Sequence, residues 1–143
     1  SEAVGLLEFP PPGEGLRAVK RIVIDAVLKA GAKPCPPTII GVGIGGGGDI
    51  ATILAKKAAC VRKLGTKHPD PEIAKLEEEL YEAINELGIG AMGLGGKYTI
   101  LGIHIEYAHR HPATYPVAVI FQCWATRRAS AIVKADGTYS VYQ

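Results

Sequence analysis

The sequence predicts an α+β fold: a mixed β-sheet of about four strands, about three packed helices, and a β-hairpin at the C-terminus. Three observations predict it. Apolar residues recur at helical spacing in three segments, continuous apolar runs mark the strands, and the order helix, strand, helix, helix, strand, strand does not alternate as repeated βα units do. The chain has 143 residues, which fits one domain over 1–143 with a single core.

Phe9-Pro10-Pro11-Pro12-Gly13 is a loop that cannot be helix interior. Leu16 to Ala30 reads as an amphipathic helix, with Leu16, Val19, Val23, Ala26, Val27 and Ala30 on one face and Gly31 as its stop. Lys33-Pro34-Cys35-Pro36-Pro37 is a rigid connector, and Thr38 to Ile44 is a buried strand. Gly45 to Gly48 follows, with Asp49 as cap of a helix from Ile50 to Leu64. Asp70 as N-cap and Pro71 at the first helical position open the third helix, whose apolar face is Ile73, Leu76, Leu80, Ile84 and Leu87. Its Glu77, Glu78, Glu79 and Glu82 read as a solvated face.

Gly88 to Lys97 is a second glycine-rich stretch. Strand-like runs cover Tyr98 to Tyr107 and Pro116 to Trp124, and Ala125 to Val133 continues as strand or short helix. Lys134-Ala135-Asp136-Gly137 is the turn of the closing hairpin.

Composition narrows the function. A formal net charge of +2 is too weak for a phosphate-binding footprint, so no nucleic-acid partner is expected. No apolar run approaches the ~18 residues of a membrane span, so no membrane is expected. Ser1-Glu2-Ala3-Val4 shows no basic leader, and the missing initiator Met suggests a chain that starts mid-protein or has been trimmed. Three cysteines speak against a disulfide framework and for a reducing, cytoplasmic setting. Glycine is in excess, 18 of 143 residues, against a usual ~7%, and the glycines cluster.

Gly43-Ile44-Gly45-Gly46-Gly47-Gly48 matches G-x-G-x-x-G between a strand and a helix. Three readings stand: a nucleotide cradle, a tight strand-to-helix turn, or a loop facing a carboxylate or cluster. The unit reads as βαα and not βαβ, which weakens the first. Cys35, between prolines, suits a metal ligand held in a loop or a small buried hydrophobe. Cys60, mid-helix among alanines, reads as core filler. Cys123 sits at a strand end near Arg127 and Arg128, which would favour a thiolate and an anionic substrate. Strand alternation places His104 with Glu106 on one face and His109 with His111 on the other, so three histidines joining one zinc site would require a broken strand. His111, before Pro112, lies in a loop suited to meet a substrate.

Taken in order, these motifs resemble the class I, iron–sulfur fumarases and the related L-tartrate dehydratases. The resemblance rests on Cys35-Pro36-Pro37 through Gly46, Leu54 to Ala58, Pro69-Asp70-Pro71, Leu76-Glu77, Glu79-Leu80, Ile84 to Gly90, Met92 to Gly96, Pro116 to Val119, and Gln122-Cys123-Trp124-Ala125 with Arg127. Ser1-Glu2 resembles the end of that family's Gly-Gly-Gly-Ser-Glu loop. The resemblance implies a hydro-lyase that adds or removes water across the double bond of a C4 dicarboxylate, fumarate and malate first and tartrate next, with a place in the tricarboxylic acid cycle. It implies a [4Fe–4S] cluster with Cys35 and Cys123 as two of three ligands, His111 as a catalytic, substrate-contacting residue and Arg127 as a substrate contact. Cys60 falls where the family needs no cysteine.

The first cluster cysteine, in a Cys-Gln-Asp-Thr-Gly motif, is absent, as are the basic substrate clamp and the proposed base. The chain therefore resembles the C-terminal half of an α subunit. Expected partners are the N-terminal half, a β subunit or C-terminal domain, and further copies of the chain as a homo-oligomer. Alone, the chain is expected to be inactive and to lack the cluster. The alternatives are an anion- or nucleotide-binding domain using Gly43 to Gly48, or a structural subunit without chemistry. The loop and strand-end settings of Cys35 and Cys123, against a helix interior for Cys60, predict that the first two lie near one another at an open face and that Cys60 does not, and His111, from its loop, is expected to point toward the same region.

Overall fold

A computed structural model describes residues 5–124 and 129–142. Among them, the elements in chain order are β1 (Leu6–Glu8), α1 (Leu16–Ala30), β2 (Thr38–Ile44), α2 (Gly48–Cys60), α3 (Pro71–Glu86), β3 (Ile100–Tyr107), β4 (Val117–Gln122), β5 (Ser130–Val133) and β6 (Tyr139–Tyr142). The first four-stranded sheet has the order β1-β4-β2-β3, and β5-β6 form a separate two-stranded hairpin. β2 runs parallel to β3 and antiparallel to β4, and β1 is antiparallel to β4. The sheet is therefore mixed, as predicted.

Side-chain alternation assigns its two faces. Ile40, Val42 and Ile44 of β2 align with Ile103, Ile105 and Tyr107 of β3 and with Phe121, Val119 and Val117 of β4. Most of these side chains are buried with Val19, Ile22 and Val23 of α1 and Leu76, Leu80 and Ile84 of α3 in the main core. The other face is nearly flat because Gly41 and Gly43 carry no side chain there. A Cβ on Gly43 would lie 1.8 Å from the Ala51 carbonyl oxygen, and one on Gly41 2.1 Å from that of Ala55. The small face of α2, Ala51, Ala55 and Ala59, thus seats directly on β2 and packs with Ala118 and Ile120 of β4.

Several expectations are corrected. The fourth strand of the sheet is Leu6–Glu8, in a segment read as loop, while the predicted hairpin pairs only with itself. Three residues are too few for a periodic signal. α2 starts at Gly48, with Gly47 as N-cap and Asp49 inside its first turn, and ends at Cys60. β2 and β3 are parallel neighbours joined through α2 and α3, so the βαα segment does return as a parallel strand. Glu77 is buried: Oε1 accepts from Arg62 NH1 at 2.6 Å and from the Ile105 amide at 2.8 Å. It stands four positions after Ile73, within the apolar stripe. The expected Ala125 to Val133 continuation and the Ser1-Glu2 motif fall wholly or partly outside the described residues.

Candidate functional site

The topology sorts the singled-out residues to two ends of the sheet. At one end β2 begins and β4 finishes, because Ile39 pairs with Gln122. Cys35 precedes β2 here, and Cys123 directly follows β4. Both are half-buried. The glycine-rich segment 88–96 closes on the same end: the Met92 amide donates to the Pro36 carbonyl at 2.7 Å, and the Gly90 amide donates to Thr99 Oγ1 at 3.3 Å. Within that segment Gly90 and Gly95 form a bridge, and a Cβ on Gly90 would come within 2.0 Å of the Gly95 carbonyl.

Backbone strain concentrates at this end. Cys35 (φ 56°) and Met92 (φ 55°) are the non-glycine residues with positive φ among the described residues. Such conformations cost of order 1–3 kcal/mol each and persist where surrounding structure enforces them, most often at functional sites. Here the Met92-to-Pro36 hydrogen bond ties the two strained loops together. Cys35 also lies in a turn, its amide donating to the Ala32 carbonyl at 3.0 Å.

Cys60 is the last residue of α2 and not mid-helix, and its sulfur accepts from the Gln122 side-chain amide. Gln122 is buried and immediately precedes Cys123. All three cysteines therefore belong to the same end of the fold, which corrects the expectation for Cys60. Cys60 and Gln122 engage each other on the α2 side of the sheet, and Cys123 leaves the strand one position later. Among the described residues, no three His, Cys, Asp or Glu side chains form a group that could hold a metal ion. Thiols are soft donors of the kind an iron–sulfur cluster takes. Met92, Leu94 and Trp124 surround this end as exposed apolar side chains.

His111 stands at the opposite end. β3 finishes at Tyr107, which pairs with Ile44, the last residue of β2, and Val117 opens β4 beside it. The loop between them is tied to the first glycine motif: the Gly46 amide donates to the His109 carbonyl at 3.1 Å and the Gly45 amide to the Pro116 carbonyl at 3.0 Å. The seven residues of β2, at ~3.3 Å each, put roughly 20 Å between the two ends. The expectation that His111 and the two cysteines face one region of the same molecule is therefore corrected. Strand length was readable, but antiparallel pairing of β4 was needed to see it. His111 Nδ1 accepts from the Ala113 amide at 3.1 Å, which orients the ring within its exposed loop. Arg127 lies outside the described residues.

A hollow of about 590 Å³ lies at the histidine end, lined among others by Asp70, Tyr107, His109 and Arg110. Tyr107 donates its hydroxyl to Asp70 Oδ2 at 3.1 Å. The Asp70 carboxyl is held below its ordinary value chiefly by the Glu72 amide it accepts as N-cap, and the Tyr107 phenol is pushed up by Asp70. The Arg110 guanidinium spans the carbonyls of His111, Pro112 and Thr114, and sits 4.8 Å above the Tyr115 ring. It builds the loop.

The Gly43 to Gly48 motif is accounted for by close packing. A Cβ on Gly45 would meet the Ala108 carbonyl at 2.0 Å, and one on Gly46 the Ile50 side chain at 2.5 Å. The Gly45 and Gly46 amides are spent inside the fold, which removes two of the donors an anion would use.

Comparison with known proteins places this arrangement. Residues 1–132 match the family model described as fumarate hydratase (fumerase). The chain is 51% identical over 136 residues to a putative L(+)-tartrate dehydratase subunit alpha of Methanocaldococcus jannaschii, covering 95% of this chain and 47% of that protein. It is 43% identical over 128 residues to the L(+)-tartrate dehydratase subunit alpha of Escherichia coli K12, covering 90% and 42%. The same identity and coverage hold for the subunit alpha of Shigella sonnei. The chain thus spans somewhat under half the length of these relatives. With its cysteine-bearing sheet end and both glycine loops inside the matched region, this chain belongs to the fumarate hydratase family, among relatives that are tartrate dehydratase alpha subunits.

Proposed function

We propose that this chain is the part of an iron–sulfur hydro-lyase that supplies two cluster thiolates, Cys35 and Cys123, in a protein that hydrates or dehydrates a C4 dicarboxylate. The observation that carries the reading is the placement of Cys35 and Cys123 at one end of the sheet, with Cys35 held at φ 56° and tied through Pro36 to the strained Met92. When bound, the cluster supplies an open iron that acts as a Lewis acid toward the substrate hydroxyl and carboxylate. The chain's own residues do the rest. Cys35 presents its thiolate from a turn that cannot relax freely. Cys123 presents its thiolate from a strand end fixed by the β2 ladder. The apolar Met92, Leu94 and Trp124 keep water away once a partner surface covers them.

The third thiolate, the catalytic base and the substrate clamp come from the portion that the longer relatives possess and from a companion subunit. Tartrate is favoured over fumarate as substrate because the relatives are tartrate dehydratase alpha subunits. Arg127, four residues after Cys123, serves as a carboxylate contact. His111 contributes by hydrogen bonding substrate or moving a proton. Given its place about 20 Å from the cysteines, it must do so from a second copy of the chain, which makes the homo-oligomer part of the active site.

The test is anaerobic reconstitution of the complete enzyme with its companion subunit, followed by iron analysis, visible spectra and assays on L-tartrate and fumarate. Cys35→Ser and Cys123→Ser should each lose iron and the cluster absorption, while Cys60→Ser retains both. His111→Ala should keep the cluster and lose turnover ~10²-fold or more. Full iron content in either of the first two serine variants would sink the ligand assignment.

A further inference from the structure

We propose that His104 is a proton-operated latch on the outer edge of the sheet, holding residues 61–70 closed over β3 when neutral and releasing them when it takes up a proton. His104 is 3% exposed, and neither ring nitrogen has a hydrogen-bond partner among the described residues. It projects from β3 on the α2 side, opposite Gly41 of β2. A Cβ at Gly102 would lie 2.6 Å from the Leu64 side chain and 3.8 Å from His104 Nε2, so Leu64 and the ring share one small space.

The charged groups around the ring come from every element packed there. Arg62 comes from the connector after α2, Glu77 from α3, Glu106 from β3 itself, and Lys57 from α2. Arg62 pairs with Glu77 at 2.6 Å and with Glu106 at 3.9 Å, and Lys57 pairs with Glu106 at 3.3 Å. Two carboxylates thus already serve two cations. A protonated His104 is a third cation with neither of these carboxylates to spare, in a buried place. Burial first and Arg62 second hold the imidazole below its ordinary value, against the pull of Glu77 and Glu106.

The connector is what yields. Its anchors are Arg62 to Glu77, Arg62 NH2 to the Thr66 carbonyl at 3.1 Å, and the His68 amide to Glu77 Oε2 at 3.2 Å. These three run through Arg62 or Glu77, the two charges that a proton on His104 disturbs, whereas the Tyr107 hydroxyl to Asp70 Oδ2 at 3.1 Å pins the far end of the connector independently. When Glu77 swings away, the Ile105 amide loses its acceptor and the outer edge of β3 is uncovered at that position.

The sign follows from linkage. A histidine whose folded value is lowered stabilises the closed form above the unfolded value near ~6.5, and that stabilisation is lost as pH falls below it. One proton can change the opening equilibrium by at most ~30-fold between pH 7.5 and 5.0.

Amide hydrogen exchange of the chain, read by NMR at these two pH values and corrected for intrinsic rates, tests the proposal. The Ile105 amide and residues 61–68 should lose protection several-fold, while Val42 in the sheet centre does not change. His104→Leu should abolish the difference. His68→Asn should leave it, which separates His104 from the connector's own histidine, whose Nδ1 accepts from the Asp70 amide. Should His104→Leu fail to fold, the wild-type His104 ring resonances give the answer: their titration midpoint must coincide with the opening midpoint. Equal protection of Ile105 at both pH values, opening retained in His104→Leu, or a ring midpoint away from the opening overturns the proposal.

Discussion

Substituting Gly43 by alanine tests the seating of α2 on the sheet. A Cβ at this position would stand 1.8 Å from the Ala51 carbonyl oxygen, 2.6 Å from the Ala55 amide nitrogen and 2.9 Å from the Ala51 carbonyl carbon. All three are backbone atoms, so no rotamer change relieves the clash. Moving from 1.8 Å to the 3.0 Å below which real contacts essentially do not occur requires the helix to rise by about 1.2 Å in a close-packed interior. That lift would open gaps under Ala51 and Ala55, both 0% exposed, and beside Ala118. Overpacking of this kind costs ~1–3 kcal/mol and occasionally more, and a backbone collision belongs at or above ~3 kcal/mol. Total stabilities run ~5–15 kcal/mol, so the loss is a large fraction. At an m-value of ~1–3 kcal/mol/M in urea, the midpoint should fall by at least ~1 M. Gly13→Ala is the control, because nothing lies within 4 Å of its Cβ position; it should shift the midpoint by less than ~0.5 kcal/mol equivalent. A Gly43→Ala midpoint as close to wild type as the control's would refute the argument that these glycines exist to admit α2.

Arg62→Met strands the Glu77 carboxylate, whose side chain is 8% exposed, and should cost ~3–5 kcal/mol in urea unfolding. Adding Glu77→Gln should recover part of that, since the amide oxygen still accepts from Ile105. Gly90→Ala puts a Cβ 2.0 Å from the Gly95 backbone at φ +67°; limited proteolysis should cut the 88–96 segment faster, with the Met92-to-Pro36 tie lost. In the complete enzyme, mixing His111→Ala with Cys35→Ser subunits should restore a measurable part of the activity that either lacks alone, because one copy keeps the cysteine end intact and the other the histidine end.

The helices at 16–30 and 71–86 and the strand at 38–44 were legible because their signals are local: a 3.6-residue apolar period, the Asp70-Pro71 start, and an unbroken aliphatic run. β1 was not, since a three-residue strand exists only through its pairing with Val117 to Val119. Glu77 sits in a run of glutamates, and what buries it is Arg62, fifteen residues earlier, together with the bare edge of β3. No local pattern announces that pair. For the candidate site, chemistry was readable from composition and motif, and the common end of Cys35 and Cys123 follows from a single strand pairing. The place of His111 depended on which way β4 runs, a long-range fact that its loop setting does not reveal.

The two margins of the sheet are unlike. Along β3, Glu77 takes the Ile105 amide and Asn85 Oδ1 takes those of Thr99 and Ile100, so α3 side chains occupy the positions another chain would use. Along β1, no strand among the described residues pairs with the outer side of Leu6–Glu8, and Leu7 and Phe9 stand exposed beside it. Among the described residues, β1 is therefore the edge left open for the sheet to be lengthened. A polypeptide that joins it, whether the remainder of the subunit or a misassembled neighbour, has its berth there, and a proline or lysine placed at Leu7 would close it.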